Sequence, residues 1–215
     1  MSLNWHIFWL AHRSGRDIMI VLVAGLVAFF LVHAIPMQTG LRARLTASLG
    51  AGAYKGLFSV VAGIGLVLII VGYGQLQTNP DQNPELWQPP FWLRHVTHAL
   101  MLPALVLLVA AYVPSRIRDV TRHPMLAAIK LWALAHLIAN GDLASVVLFG
   151  SFLAYAVVDR ISVKRRAARG PIGDRLGTPA GDAIAVAGGL AAYAILVAFA
   201  HQWLFGVAPI PSLAL

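Results

Sequence analysis

The chain has 215 residues, of which 59% are apolar and only 11% are charged. Because an ordinary soluble domain carries roughly a quarter charged residues, this composition excludes a soluble globular protein and indicates an integral membrane protein. Cysteine is absent, which excludes disulfides, thiolate nucleophiles, cysteine-held iron–sulfur clusters and covalent c-type haem.

Apolar runs recur along the chain with short polar gaps, which predicts a single all-α domain over residues 1–215, a polytopic membrane bundle of about six transmembrane helices. Residues 1–16 are aromatic and basic but too short to span, so they predict an interfacial helix. The first span, within a core of residues 17–166, is expected at 17–36 and carries His33 near its end. His33 is either a ligand or proton-handling group, or a histidine that snorkels to the interface.

The second span, residues 56–74, has no ionisable residue and is interpreted as structural. Its Gly63 and Gly65 favour close helix packing over a nucleotide loop, because no strand or third glycine accompanies them. The third span, residues 95–114, opens with His95 and His98 one turn apart. That spacing suits a metal, but no carboxylate lies nearby in sequence, so interfacial positions are the other interpretation.

The fourth span, residues 122–142, contains His136, which shares a helix face with Trp132 and Asn140. An ionisable group at membrane depth is costly without a partner, so this face is a candidate site. The alternative is a neutral histidine bonded to a neighbouring carbonyl. A fifth span is expected at residues 143–158, and the last transmembrane helix at 183–205 carries His201 near its end.

Basic residues are distributed unevenly over the connections of this six-span order. Twelve of the 16 Lys and Arg residues follow spans one, three and five. The positive-inside rule therefore places these connections in the cytoplasm and both termini outside, which for a bacterial inner membrane means in the periplasm. The charge run after the fifth span has no interleaved aromatics or recognisable motif, so it predicts a membrane-surface loop and no nucleic-acid partner.

Histidine is the remaining ligand type for a cofactor, and His33 and His136 lie within apolar spans on different helices. Two imidazoles between helices suit a non-covalent b-type haem, whose porphyrin is a large apolar plane. The helical rise puts the two residues about 12 Å apart in depth, or roughly half that if Lys130 marks the cytoplasmic edge. At the larger offset, His95 or His98 becomes the better partner for His136.

Several sequence blocks occur in an order that resembles the NnrU family of bacterial membrane proteins: LVHAIP, GLRARL, AYKGLFS, GYGQ, TRHPM and KLWALAHLIANGDLAS. NnrU proteins are linked with denitrification, and the family is similar to the haem b-dependent 15-cis-zeta-carotene isomerase. The resemblance implies that His33 and His136 are the axial iron ligands.

The resemblance further implies a redox-gated cis–trans isomerase of a carotenoid-like polyene, with an electron donor as a partner. Phe29, Phe30 and Trp132 are then candidate pocket walls, by helical proximity alone, beside Asn140. Two alternatives stay open. One is a haem-containing accessory protein of nitrite or nitric oxide metabolism, and the other is a structural membrane protein with hydrogen-bonded histidines.

The tripeptide Arg122-His123-Pro124 also opens a motif of integral-membrane isoprenylcysteine carboxyl methyltransferases. This chain lacks the later carboxylates and tyrosines expected there, so an isolated short motif carries little weight. The other interpretation of the tripeptide is a helix start, with proline in the first turn. His123 therefore joins His95 and His98 as a secondary ligand candidate.

Overall fold

The computed structural model describes residues 15–166 and 170–210, and these form helices joined by loops. The interfacial helix predicted for residues 1–16 lies outside the described residues over positions 1–14. Its last two positions begin the first observed helix, which starts at Gly15. In chain order the helices are α1 Gly15–Ala34, α2 Thr39–Leu49, α3 Ala51–Gln77, α4 Leu93–Ala110, α5 Arg116–Thr121, α6 Pro124–Ala139, α7 Leu143–Arg165, α8 Pro179–Ile195 and α9 His201–Phe205.

The predicted all-α membrane fold is confirmed, with five helices long and apolar enough to cross a bilayer: Asp17–Met37, Ala51–Gln77, Leu93–Ala110, Leu143–Arg165 and Pro179–Phe205. Only 11% to 28% of the residues in their apolar windows are buried inside the protein, as expected for helices that face lipid. The predicted fourth span corresponds to α6, which has 16 residues. At 1.5 Å per residue α6 is about 24 Å long, shorter than the usual hydrocarbon core.

The structure divides into two compact units. The first contains the described residues up to Gln88 together with Gly141–Ser151, and the second contains Pro89–Asn140 and the described residues from Phe152 onward. Helix α7 contributes residues to both. The expectation of one domain stays a prediction, and each unit is described by itself.

In the first unit, α1 packs against α3 through glycines. A Cβ built on Gly72 would lie 2.6 Å from the Leu22 nitrogen, and one built on Gly65 would lie 2.8 Å from the Phe29 nitrogen. The two backbones therefore approach as closely as small residues allow in membrane helices. Of the two glycines predicted for packing, Gly65 serves this role, whereas a Cβ on Gly63 would meet nothing within 4 Å.

A hydrogen-bond network around Asp142, also in the first unit, holds the start of α7 to the end of α3 and to the loop that follows α3. Its Oδ1 accepts from Gln77 (2.9 Å), Asn83 (2.8 Å) and the Ser145 main chain (2.9 Å), and its Oδ2 accepts from the Ser145 hydroxyl (2.6 Å). The Asn83 Oδ1 in turn accepts from the Ala144 amide at 2.8 Å. Asp142 thus caps α7 by accepting from the Ser145 amide, and Pro84 and Asn83 accept from the amides of Leu143 and Ala144.

In the second unit, α4 packs against α6 and α8. A Cβ on Gly189 of α8 would lie 2.5 Å from the Val106 Cα, so α4 and α8 also meet through a glycine. The loops beyond α4 and before α8 are joined as well, since the Thr178 amide donates to the Pro114 carbonyl at 3.0 Å. Buried Arg118 donates to the carbonyls of Gly173 and Arg175 and holds this loop.

The basic run predicted as a surface loop is partly helical. Helix α7 continues to Arg165, so Arg160 and Lys164 lie in its final turns, and α8 begins earlier than expected, at Pro179. Cations in the last turn of a helix interact favourably with its macrodipole, which explains how the helix extends through a charged sequence. Arg166, just beyond the helix end, pairs with Asp159 one to two turns back at 3.0 Å.

Candidate functional site

His33 lies near the end of α1, in the first unit. Its Nδ1 is 2.7 Å from the Phe29 carbonyl oxygen, one turn back. Its ring stacks on Phe29 with centres 4.0 Å apart and meets Phe58 of α3 edge-on at 5.0 Å. The imidazole is therefore held in one orientation between aromatic rings.

His136 lies in the last turn of α6, in the second unit, and repeats this arrangement. Its Nδ1 is 2.9 Å from the Trp132 carbonyl oxygen, again one turn back. The ring contacts the Trp132 indole at 5.4 Å, and that indole meets Phe152 of α7 edge-on at 5.4 Å.

A carbonyl oxygen only accepts hydrogen bonds, so Nδ1 carries a proton in both histidines, and in the neutral form of each Nε2 carries the lone pair. Metal-binding histidines characteristically donate their second N–H to such a carbonyl, which fixes the tautomer and raises the ligand's basicity. In the part of the chain that the structure describes, no group of three or more His, Asp or Glu could hold a metal ion. Two imidazoles suffice for haem b, because the porphyrin supplies the other four nitrogens. The donor set therefore fits haem b.

The other predicted pocket residues, Phe30 and Asn140, contact the Phe29 ring and the His136 main chain respectively. Phe30 meets Phe29 edge-on with centres 5.6 Å apart. The Asn140 amide donates to the His136 main-chain carbonyl at 2.8 Å and so completes the end of α6. As iron-site residues, Phe29, Phe30, Trp132 and Asn140 stay predictions, as does the pairing of His33 with His136, which belong to different units.

The comparisons with known proteins bear on these residues. The model of the NnrU protein family matches residues 21–209, which include His33 with most of α1, and His136 with all of α6. The chain belongs to the NnrU family. Searches of the curated proteins and of the solved structures each found no match.

The secondary ligand candidates of this NnrU protein occupy other surroundings in the second unit. His98 shares a 2.8 Å hydrogen bond with the Tyr193 hydroxyl of α8, and His95 meets Phe91 edge-on at 6.0 Å. His123 directly precedes α6, which begins at Pro124 as the helix-start interpretation predicted. Burial and the positive charge of Arg160 lower the pKa of His123.

His123 lies in a basic cleft of about 580 Å³ in the second unit. The cleft is formed by residues that precede α6, by the last turns of α7 and by the 170–176 loop. Five cations line it against two carboxylates, with Arg118, Arg122, Arg160, Lys164 and Arg175 opposing Asp119 and Asp174. This positive charge balance suits a membrane surface that carries anionic headgroups.

Sequence reasoning placed His201 only at the end of a span and did not connect it with His136. In the structure its ring lies beside that of His136, with centres 6.5 Å apart and planes inclined by 19°. The sequence signal was weak, because a histidine near the end of an apolar run is typical of an interfacial position. Only the packing of the second unit identifies its neighbour.

Proposed function

We propose that this NnrU protein binds haem b inside the membrane through His33 and His136, and that it is a redox-gated cis–trans isomerase of a carotenoid-like polyene. One observation carries the proposal: both imidazoles have Nδ1 bonded to the carbonyl of the preceding turn. Family membership supports it, because the sequence resemblance that names the same two histidines lies inside the matched region.

The side chains around the two histidines have defined tasks. The carbonyls of Phe29 and Trp132 accept from Nδ1, so in the neutral imidazoles Nε2 is the nitrogen that would bind the iron. The rings of Phe29, Phe58 and Trp132 restrict imidazole rotation and provide flat apolar surface for a porphyrin or polyene. When bound, haem iron would supply a redox-switchable contact to a double bond.

The expected substrate agrees with the chain's composition. A carotenoid is an apolar chain that dissolves in the bilayer, so its binding residues are apolar and aromatic. Isomerisation about a double bond transfers no proton to or from the protein, so the reaction needs no carboxylate at membrane depth. The five long apolar helices with their lipid-facing surfaces provide a route from the bilayer.

The ligand assignment is tested on protein purified from haem-sufficient cells. We expect the low-spin absorption and EPR signals of a bis-imidazole iron. His136→Ala should lose the low-spin signal, and His33→Ala should lose haem or shift the EPR g-values. His12→Ala, outside the described residues, is the control and should match wild type. An unchanged EPR signal in His33→Ala would show that His33 does not bind the iron.

The reaction is tested separately, by expressing the protein in cells that accumulate 15-cis-zeta-carotene. We expect 9,9′-di-cis-zeta-carotene to appear with wild type and not with His136→Ala. A haem-loaded protein that converts no carotenoid would remove the isomerase proposal while leaving haem binding in place.

A further inference from the structure

The His136–His201 pair has the spacing of two ligands on one metal. The two imidazoles belong to the same unit, with ring centres 6.5 Å apart and planes 19° from parallel. Imidazoles on opposite sides of one ion, each with a metal–nitrogen bond of about 2 Å, have ring centres roughly 6 Å apart. The spacing also exceeds that of the stacked His33–Phe29 pair, whose centres lie 4.0 Å apart.

The tautomer of His201 is the one that a ligand needs. Its Nδ1 lies 2.7 Å from the Val207 carbonyl oxygen and therefore donates its proton there. Lone pairs consequently lie on Nε2 in both His136 and His201. Three imidazoles in the described chain share this Nδ1-to-carbonyl arrangement, namely those of His33, His136 and His201.

The backbone around His201 departs from a plain helix on both sides. The preceding residues, Leu196–Ala200, form a π-helical turn, a feature that occurs frequently at functional sites. His201 is the first residue of α9, and Gly206, directly after this helix, has the left-handed conformation with φ of 73°. That turn directs the Val207 carbonyl back to the His201 ring. Both deviations act on the position of this one imidazole.

An iron in a porphyrin has two axial positions, yet three imidazoles are arranged as ligands. We propose that His201 is an alternative axial ligand, which binds opposite His136 whenever His33 is not bound to the iron. The inference rests on the proposed haem binding and adds a second ligation state to it. His136 is common to both states, and His201 would occupy the position that His33 leaves until a polyene displaces it.

The test compares EPR and absorption spectra of purified, haem-loaded His33→Ala with those of His33→Ala/His201→Ala. We expect His33→Ala to keep a low-spin signal with g-values shifted from wild type. The double variant should become high-spin and return to low-spin when free imidazole is added. His33→Ala/Gln202→Ala, which alters the neighbouring residue of the same helix, is the control and should behave like His33→Ala.

Three results would overturn the inference while leaving haem binding by the wild-type protein intact: loss of haem from His33→Ala, a high-spin signal already in His33→Ala, or a low-spin signal that persists in the double variant. A wild-type protein without haem would overturn the proposed function and this inference together. Imidazole rescue distinguishes a lost ligand from a misfolded double variant, because a collapsed site would not regain the low-spin spectrum.

Discussion

At the scale of single residues, sequence reasoning identified the histidines but not their hydrogen bonds. His33 and His136 were recognisable because an imidazole in an apolar span is costly. The acceptors of their Nδ1 protons are main-chain carbonyls one turn back, which carry no residue-specific sequence signal. His201 was missed for a related reason, since its proximity to His136 depends on a π-helical turn that the sequence does not reveal.

Asp142 is the residue whose removal should most weaken the first unit. Asp142→Ala removes the cap of α7 and leaves Asn83 and Gln77 without an acceptor they use, so we expect a loss of about 1 to 3 kcal/mol in the free energy of unfolding. Thermal unfolding in detergent at neutral pH measures this loss of stability. Asp81→Asn, an exposed carboxylate in the same loop region, is the matched control and should match wild type within error.

The same carboxylate should make stability depend on pH. Burial by itself would raise the pKa of Asp142, but hydrogen bonds from Ser145, Asn83 and Gln77 outweigh it and lower the pKa below its ordinary 3.8. The ionised form therefore stabilises the fold above pH 3.8, and this contribution disappears as the pH falls through the lowered pKa. The stability gap between wild type and Asp142→Ala should thus narrow in acid. A gap that is constant from neutral pH down to strong acid would contradict this assignment.

At the scale of helices, periodicity predicted which segments are helical but not which of their faces pack. Gly63 and Gly65 are equivalent in sequence, yet only Gly65 meets α1. Helix ends were less predictable where charge begins, because α7 runs on through the basic residues to Arg165. Propensity and dipole effects extend a helix past the membrane boundary that hydropathy detects.

Glycines 72 and 63 of α3 offer a matched pair of substitutions. Gly72→Ala should destabilise the first unit by about 1 to 3 kcal/mol, because its Cβ would overlap the Leu22 backbone and force α1 and α3 apart. Gly63→Ala, whose Cβ meets nothing within 4 Å, should leave stability unchanged or slightly raised. The midpoints of thermal unfolding in detergent are compared for the two variants. Equal effects of the two substitutions would refute the close packing of α1 and α3 at Gly72.

At the scale of the whole molecule, a contact between two loops of the second unit supports six crossings. In the second unit the Thr178 amide donates a hydrogen bond to the Pro114 carbonyl. The loops after α4 and before α8 therefore lie on the same side of the membrane. If α7 alone crossed between them, they would lie on opposite sides. We therefore expect the short helix α6 to cross as well, which retains the predicted orientation with both termini in the periplasm.

The absence of cysteine allows this topology to be tested by single-cysteine labelling. Val120→Cys and Leu176→Cys lie at positions 85% and 84% exposed, and both should react with an impermeant maleimide only from the cytoplasmic face. Gln88→Cys should react only from the periplasmic face. Labelling of residues 120 and 176 from opposite faces would mean that α6 does not cross.

The proposed function requires an iron porphyrin held by histidines within the bilayer. The most direct measurement is the haem content of wild-type protein purified from iron-sufficient cells, by the pyridine haemochrome assay together with the Soret spectrum. We predict a stoichiometric amount of non-covalent haem b with a low-spin spectrum. A folded but colourless preparation would contradict the proposed haem binding.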